Sequence, residues 1–120
     1  MPVSVKRIYE EYDKNDGVRV LVDRVWPRGM SKESAKVDHW IKEAGPTSEL
    51  RKWFGHDPDK FPDFKEKYKS ELKENDEQKE ALDKLKKLAK ENDKNLTLLY
   101  SAKDTEHNQA VVLKEILDHQ

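Results

Sequence analysis

The run Val-Arg-Val-Leu-Val-Asp-Arg-Val at residues 18–25 predicts a strand that is buried for most of its length and ends in charge. A second run, Leu-Thr-Leu-Leu-Tyr-Ser at residues 96–101, has the same character. The chain between them is long enough for a right-handed crossover, so the two strands can lie side by side in parallel. This pair predicts an α/β fold.

A further strand is predicted at the N-terminus, where Val3, Val5 and Ile8 alternate with polar residues. The connection at residues 10–17 contains a turn cluster and is short. Its length favours a hairpin, since a parallel crossover usually needs about ten to twelve residues or more. The direction of this strand stays open at this point.

Between and after these strands, apolar spacing and capping residues predict helices. Ser31 and Ser48 are predicted caps, and Asp104 or Thr105 is predicted to cap the last helix. The predicted helices cover about 31–36, 38–44, 48–55, 58–75, 76–91 and 105–117. The prediction is therefore a single α/β domain over residues 1–120, with a small, mostly parallel sheet of about three strands and helices packed on it.

The composition excludes several classes of function. The 120 residues contain 24 Lys and Arg against 25 Asp and Glu, so a uniformly basic surface for nucleic acid is absent and a nucleic-acid partner is not favoured. Without Cys there are no disulfides, thiolates or Cys-based zinc sites. The four His residues show no metal-ligand spacing, and no cofactor motif is present, so we expect neither metal nor cofactor. The chain has no apolar run of membrane-spanning length and no apolar signal region, so we expect a cytoplasmic protein without a membrane partner.

The charges are of two kinds. Residues 59–94 hold 11 Lys and 11 acidic residues in alternation, which is typical of a solvated helical face. All five Arg lie elsewhere in the chain, and Arg suits two-pronged contact with phosphate or carboxylate. The part of the chain outside 59–94 is therefore where we expect a specific site.

The predicted site lies where the two confident strands end. Ligands of open α/β sheets bind in the crevice outside the carboxyl ends of the strands, and helix N-termini there favour anions. We therefore predict that a small anionic ligand, bearing phosphate or carboxylate, binds there. The candidate binding residues follow the two strands and are Arg24, Trp26, Arg28, Ser101, Lys103, Asp104, His107 and Asn108.

Whether the protein is an enzyme stays open. The candidate acid–base residues are Asp23, His107 and the pair His56 and Asp57, which lies between two predicted helices. Each has a structural alternative, such as an ion pair at a strand end or a helix cap. Ser101 is the only candidate nucleophile in this region.

Two other functions stay open alongside anion binding. Trp40, Trp53 and Phe54 could mark a surface for a protein partner. Tyr9, Tyr12 and Trp26 lie among the Arg residues and could stack on bases in a nucleic-acid-associated regulator. Neither the ligand nor the oligomeric state follows from the sequence.

Three motifs together resemble the YeaO-like family of uncharacterised bacterial proteins, over about residues 3–117. They are the run at 20–29, the run Leu-Arg-Lys-Trp-Phe-Gly-His-Asp-Pro at 50–58, and residues 98–113. The resemblance implies a compact cytoplasmic α/β domain with no established activity.

The broader group often has a Cys after the last strand and a Cys-His-Arg at the start of the final helix. This chain has Tyr100-Ser101 and His107-Asn108 there, so no thiol role carries over. Some members carry a MarR-type regulator label, but the charge-balanced helices at 59–91 are unlike a basic recognition helix.

Overall fold

The fold is built on four parallel strands, seen in a computed structural model that describes residues 2–120. The strands lie in the order β1-β4-β2-β3. Their bounds are Ser4–Arg7 for β1, Val18–Leu21 for β2, His39–Trp40 for β3 and Leu96–Tyr100 for β4. The α/β class and the parallel sheet are confirmed. The described chain has four strands rather than about three, because the two-residue β3 extends the sheet beyond β2.

The connection after β1 crosses over instead of forming a hairpin. β4 lies between β1 and β2 and pairs with both in parallel, with Val5 opposite Leu98 and Leu98 opposite Val20. All five β4 residues are buried, as expected of a central strand covered on both faces. The short connection spans this strand through a 3-10 turn at Lys14–Asp16, capped by the Asp13 side chain. The hairpin expected from the length of the connection is therefore wrong.

The helix predicted over residues 38–44 is also absent. The amide of Asp38 donates to the Arg19 carbonyl at 2.8 Å, and the amide of Ile41 donates to the Leu21 carbonyl at 3.0 Å. These amides pair with the open edge of β2 instead of forming the hydrogen bonds of a helix. A 3-10 turn at Lys42–Ala44 follows. Helical spacing of apolar residues could not reveal this competition, because it depends on a strand elsewhere in the chain.

The remaining helices follow the predicted spacing closely. Their bounds are Lys32–Ala35 for α1, Ser48–Phe54 for α2, Phe61–Glu74 for α3, Asp76–Glu91 for α4 and Gln109–Asp118 for α5. Thr47 rather than Ser48 caps α2, and a 3-10 turn at Pro58–Lys60 precedes α3. α5 begins after Asn108, later than predicted, because Asp104 closes a separate turn before the helix.

The sheet separates two apolar clusters of unequal size. Val20 and Leu98 point into the larger cluster with residues of α2, α3, α4 and α5. Their neighbours Leu21 and Leu99 point to the opposite face, where Ile8 and Ala35 complete a smaller cluster. This alternation is the two-residue period of a strand. No helix within residues 2–120 is long and apolar enough to cross a membrane.

Arg19 supports the fold from inside the protein. Its side chain is buried and donates to the carbonyls of Lys36 at 3.2 Å and Ala35 at 2.8 Å, and to the Asp16 carboxylate at 2.5 Å. A buried guanidinium needs such partners, since an unpaired buried charge is costly. Arg19 is therefore structural, unlike Arg24 and Arg28, which were the Arg residues predicted to bind a ligand.

Gly17 is expected to tolerate no side chain. Its φ is +68°, and a Cβ would lie 2.2 Å from the Asn95 carbonyl oxygen. We expect Gly17→Ala to lower the free energy of unfolding by more than about 2 kcal/mol, measured by urea denaturation. Gly29 is the matched control, because its φ is +80° but a Cβ there would meet nothing within 4 Å. Gly29→Ala should cost only the backbone strain, about 1 kcal/mol. Equal losses in the two variants would contradict this account.

Candidate functional site

A cavity of about 620 Å³ lies outside the carboxyl ends of β2 and β4. The two strands are neighbours, with Leu21 opposite Leu99, so the segments that follow them leave the sheet side by side. The C-terminal part of α2 and the first turn of α5 supply further walls. The volume is within the range of about 300–1,000 Å³ that small-molecule sites occupy. The topology therefore builds one pocket from four segments distant in sequence.

The carboxylate of Asp23 joins three of these segments. One oxygen accepts hydrogen bonds from the Ser101 amide at 3.0 Å and the Ser101 hydroxyl at 2.7 Å. The other accepts from the side-chain amide of Gln109 at the start of α5. Burial raises the pKa of Asp23 above its ordinary value, although these hydrogen bonds and the charge of Arg51 oppose the shift. The carboxylate is thus an internal bridge with both oxygens in use.

Arg24 lies beside Asp23 and fixes the loop before α2. Its Nε donates to the Pro46 carbonyl at 2.8 Å and to the Gly45 carbonyl at 3.2 Å, and Nη2 also donates to Gly45 at 3.1 Å. Gly45 has no room for a side chain without displacing its neighbours, because a Cβ would lie 3.1 Å from both Arg24 Cγ and the Val22 carbonyl. Arg24 therefore contributes a positive charge that is held in place at the pocket wall.

Two exposed cations complete the positive side of the pocket. Arg51, on α2, and Lys103, two residues beyond Ser101, both line the cavity. Arg51 has one weak side-chain contact, 3.5 Å from Nη2 to the Ser48 hydroxyl. Arg51 and Gln109 were missed as site residues by the sequence analysis. Both residues lie inside motifs that the sequence analysis singled out, Arg51 at 50–58 and Gln109 at 98–113, but only the Arg carries a charge that points to anion binding.

Asp104, His107 and Asn108 form a compact turn ahead of α5. The Asp104 carboxylate accepts from the amides of Glu106 at 2.9 Å and His107 at 3.0 Å, and lies 2.9 Å from His107 Nδ1. The two amide bonds hold the pKa of Asp104 below its ordinary value, with a smaller contribution from the His107 ring. Asn108 caps α5 by accepting from the Val111 amide at 3.1 Å. All three residues line the pocket.

Of the predicted pair His56 and Asp57, only His56 lines the cavity. His56 is exposed and has a left-handed backbone with φ +58°, directly after Gly55, which caps α2 in the same conformation. Asp57 instead caps the 3-10 turn at Pro58–Lys60 by accepting from the Asp59 amide at 3.0 Å. The structure thus separates the two members of the predicted pair.

Trp26 and Arg28 lie away from the pocket lining. Trp26 packs on the smaller apolar cluster, and its indole N–H donates to the Met30 carbonyl at 2.6 Å. The Arg28 carbonyl accepts from the Tyr9 hydroxyl at 2.9 Å, and its side chain is exposed. The chain turns after Val25, so residues close to Arg24 in sequence are carried to other surroundings. The other predicted residues, Asp23, Arg24, His56, Ser101, Lys103, Asp104, His107 and Asn108, line one cavity.

Within residues 2–120, no three His, Asp or Glu side chains come together in a group that could hold a metal ion. The residues that line the pocket include cationic, acidic and hydrogen-bonding side chains as well as apolar ones.

Comparison with known proteins gives full-length matches. The family model described as "Inactive DUF488-N3 subclade" matches residues 2–120. The uncharacterized protein YeaO of Escherichia coli strain K12 is 41% identical over 117 residues, which is 98% of this chain and 97% of YeaO. The uncharacterized protein Rv3073c of Mycobacterium tuberculosis strain H37Rv is 37% identical over 116 residues, 97% of this chain and 93% of that protein. No solved structure matches. The chain therefore belongs to the YeaO-like proteins of the inactive DUF488-N3 subclade.

Proposed function

We propose that the protein binds a small anionic molecule, bearing a phosphate or carboxylate group, in the pocket at the carboxyl ends of β2 and β4. One observation carries the proposal. Three cationic side chains, Arg24, Arg51 and Lys103, line this pocket against two carboxylates. Both carboxylates already accept hydrogen bonds from the protein itself. The pocket is therefore lined by more positive than negative side chains, which favours an anionic ligand.

Two further features support an anion at this place. The first turn of α5 forms part of the wall, and the N-terminus of a ten-residue helix carries partial positive charge. His56 and His107 also line the pocket, and each imidazole carries an N–H group that can donate a hydrogen bond. The raised pKa of Asp23 means that, as the pH falls, this carboxylate takes up its proton earlier than an ordinary Asp does. The negative charge that would repel an anionic ligand is then lost.

The arrangement favours binding over catalysis. A general base acts through a lone pair that faces the proton it takes from the substrate. Both Asp23 oxygens accept hydrogen bonds that join β2, β4 and α5, and the Ser101 hydroxyl proton is committed to Asp23. These hydrogen bonds give Asp23 a structural role in joining the three segments. The family description "inactive" agrees with a pocket that holds a molecule without transforming it.

The alternatives receive less support from the geometry. Phe54 is a core residue, so it does not mark a partner surface. Trp40 and Trp53 are 39% and 38% exposed, and each ring has a lysine ammonium within 6 Å. Tyr9 and Tyr12 are exposed, but Arg7 lies over one ring and Arg19 and Lys36 lie over the other. These aromatic rings are engaged by the cations that a nucleic acid would need.

The pKa of Asp23 should lie above that of an ordinary Asp, and the pKa of Asp104 should lie below it. Carbon-detected NMR should give a higher pKa for Asp23 and a lower one for Asp104. Because the pKa of Asp23 is higher in the folded state, the folded protein binds this proton more tightly than the unfolded chain does. This contribution to the free energy of unfolding is lost as pH rises from about 4 through the raised pKa. Asp104 behaves oppositely, since its contribution is present above about pH 4 and is lost as pH falls through its lowered pKa.

Ser101→Ala sharpens this test. Loss of the Ser101 hydroxyl removes one hydrogen bond to the ionised Asp23 and should raise its pKa further, while the titration of Asp104 stays unchanged. An unchanged or lower Asp23 pKa in this variant would contradict the proposed bridge.

Anion binding should raise the melting temperature of the protein. Inorganic phosphate, sulfate or acetate at millimolar concentration should stabilise the folded state in proportion to RT ln(1 + [L]/Kd). Arg51→Gln and Lys103→Gln should each lower the affinity for the anion about tenfold, because each removes a charge-assisted contact. Added sodium chloride should reduce the effect by screening.

Arg28→Gln is the matched control, because Arg28 is exposed but lies outside the pocket lining. It should leave the anion affinity unchanged. The proposal fails if none of the three anions stabilises the wild type. It also fails if Arg28→Gln weakens binding as much as Arg51→Gln does.

A further inference from the structure

We infer, resting on the proposed function, that the ligand is an anion that carries its own hydrogen-bond donor. A phosphate that keeps one proton and a carboxylate with a neighbouring hydroxyl group are the two anions of this kind. Asp23 determines this specificity, because its carboxylate accepts the hydrogen bond that the ligand donates. The inference is carried by the hydrogen bonds of Asp23, by its place among the cations of the pocket, and by its contrast with Asp104.

The Asp23 carboxylate has room for one more hydrogen bond. A carboxylate has two oxygens with about four lone-pair positions. Oδ2 accepts from the amide and the hydroxyl of Ser101, at 3.0 and 2.7 Å. Within residues 2–120, Oδ1 accepts only from the side-chain amide of Gln109. Because Asp23 lines the cavity, the remaining acceptor position on Oδ1 can receive a donor from a ligand.

The partners of this carboxylate are neutral, although cations lie nearby. A backbone amide, a hydroxyl and a side-chain amide donate to it, and no Lys or Arg among residues 2–120 forms an ion pair with it. Arg24 is next in the chain, but its Nε and Nη2 donate to the carbonyls of Gly45 and Pro46. The pocket therefore presents cations and an anionic acceptor side by side, and neither neutralises the other by direct contact.

Arg51 is the second cation close to Asp23. Burial raises the pKa of Asp23, and the charge of Arg51 is one of the influences that oppose this shift. Such an influence falls off with distance, so the guanidinium of Arg51 lies near the carboxylate. An anion that contacts Arg24 or Arg51 is therefore also close to the acceptor position on Asp23.

An acceptor in this place distinguishes between anions of the same charge. An anion without a proton to donate brings its own lone pairs against the Asp23 oxygen, and the two negative groups repel each other. An anion with a hydroxyl group donates to this oxygen instead. Hydrogen bonds to an ionised acceptor are about twice as strong as those between neutral groups. The Asp23 oxygen also regains a partner for the water that the ligand displaces.

Asp104, the other carboxylate of the pocket, is less suited to this selection. Its carboxylate accepts from the amides of Glu106 and His107 and lies 2.9 Å from the Nδ1 atom of His107. These hydrogen bonds lower the pKa of Asp104, whereas burial dominates at Asp23 and raises its pKa. Asp104 is thus in closer contact with water, which can fill its remaining acceptor positions. A ligand gains less by donating to it.

The test compares two matched pairs of anions by isothermal titration calorimetry on the full chain. Inorganic phosphate and sulfate have the same shape and are both dianions at mildly alkaline pH, but only phosphate keeps a proton. Glycolate and acetate are both monoanions, but only glycolate has a hydroxyl group. In at least one pair, the anion with the donor should bind at least about tenfold more tightly. That pair identifies the source of the donor, the phosphate proton or the hydroxyl.

The failures of the two proposals are distinguishable. Equal affinities within both pairs overturn the inference and leave the proposed function standing. Absence of binding by all four anions overturns the proposed function and the inference with it.

Asp23→Asn locates the effect on Asp23. The Ser101 amide needs an acceptor, so the oxygen of the new side chain should face Ser101, and its NH₂ group then takes the place of Oδ1. A donor thus replaces the acceptor, and the preference for phosphate or glycolate should disappear or reverse. Asp57→Asn is the matched control, because Asp57 caps a turn outside the pocket lining and Asn caps equally well. A preference that survives in Asp23→Asn, or that only Asp104→Asn removes, overturns the assignment to Asp23.

The wild type supplies a second test if Asp23→Asn does not fold. Carbon-detected NMR can follow the carboxyl carbon of Asp23 during titration with phosphate and with sulfate. Phosphate should shift this resonance in a saturable manner, and by more than sulfate does, because only phosphate donates to the carboxylate. Equal shifts with the two anions, or no shift with either, contradict the inference.

Discussion

The architecture of the site depends on the hydrogen bonds that the Asp23 carboxylate accepts. Placing a carboxylate in a largely buried position is costly, and donors from Ser101 and Gln109 offset this cost. Because these donors belong to the end of β4 and the start of α5, the same bonds fix three segments relative to one another. The bridge thus adds to the β2–β4 ladder by tying the start of α5 to the ends of both strands.

The parallel order of the strands makes this bridge available. β4 enters between β1 and β2, so the ends of β2 and β4 lie at one edge of the sheet. Arg24 then extends the connection by binding the carbonyls of Gly45 and Pro46, which places the start of α2 beside the same edge. Gln78 of α4 also donates to the Gly45 carbonyl, at 3.2 Å. The pocket is thus a consequence of packing over the whole domain.

Much of this was readable from the sequence, but not all. Long apolar patterns gave β2, β4 and the helices, and polar residues at the ends of these strands marked the edge that holds the pocket. The direction of β1 and the existence of β3 could not be read, because both depend on which strand edges remain open. The sequence analysis also left Arg51 out of the predicted site and placed Trp26 in it, and both errors depend on tertiary packing. Whether a side chain faces the pocket is decided by how its helix or loop packs, which residue spacing does not encode.

The central claim is that this edge of the sheet receives an anion. The most direct measurement is a titration of the ¹⁵N-labelled protein with inorganic phosphate, followed by amide NMR shifts. The account predicts that the largest saturable shifts fall in residues 101–109, 23–25 and 51–56, which meet at the pocket. Shifts confined to the lysine-rich helices at 61–91, or no saturable shifts anywhere, would contradict it.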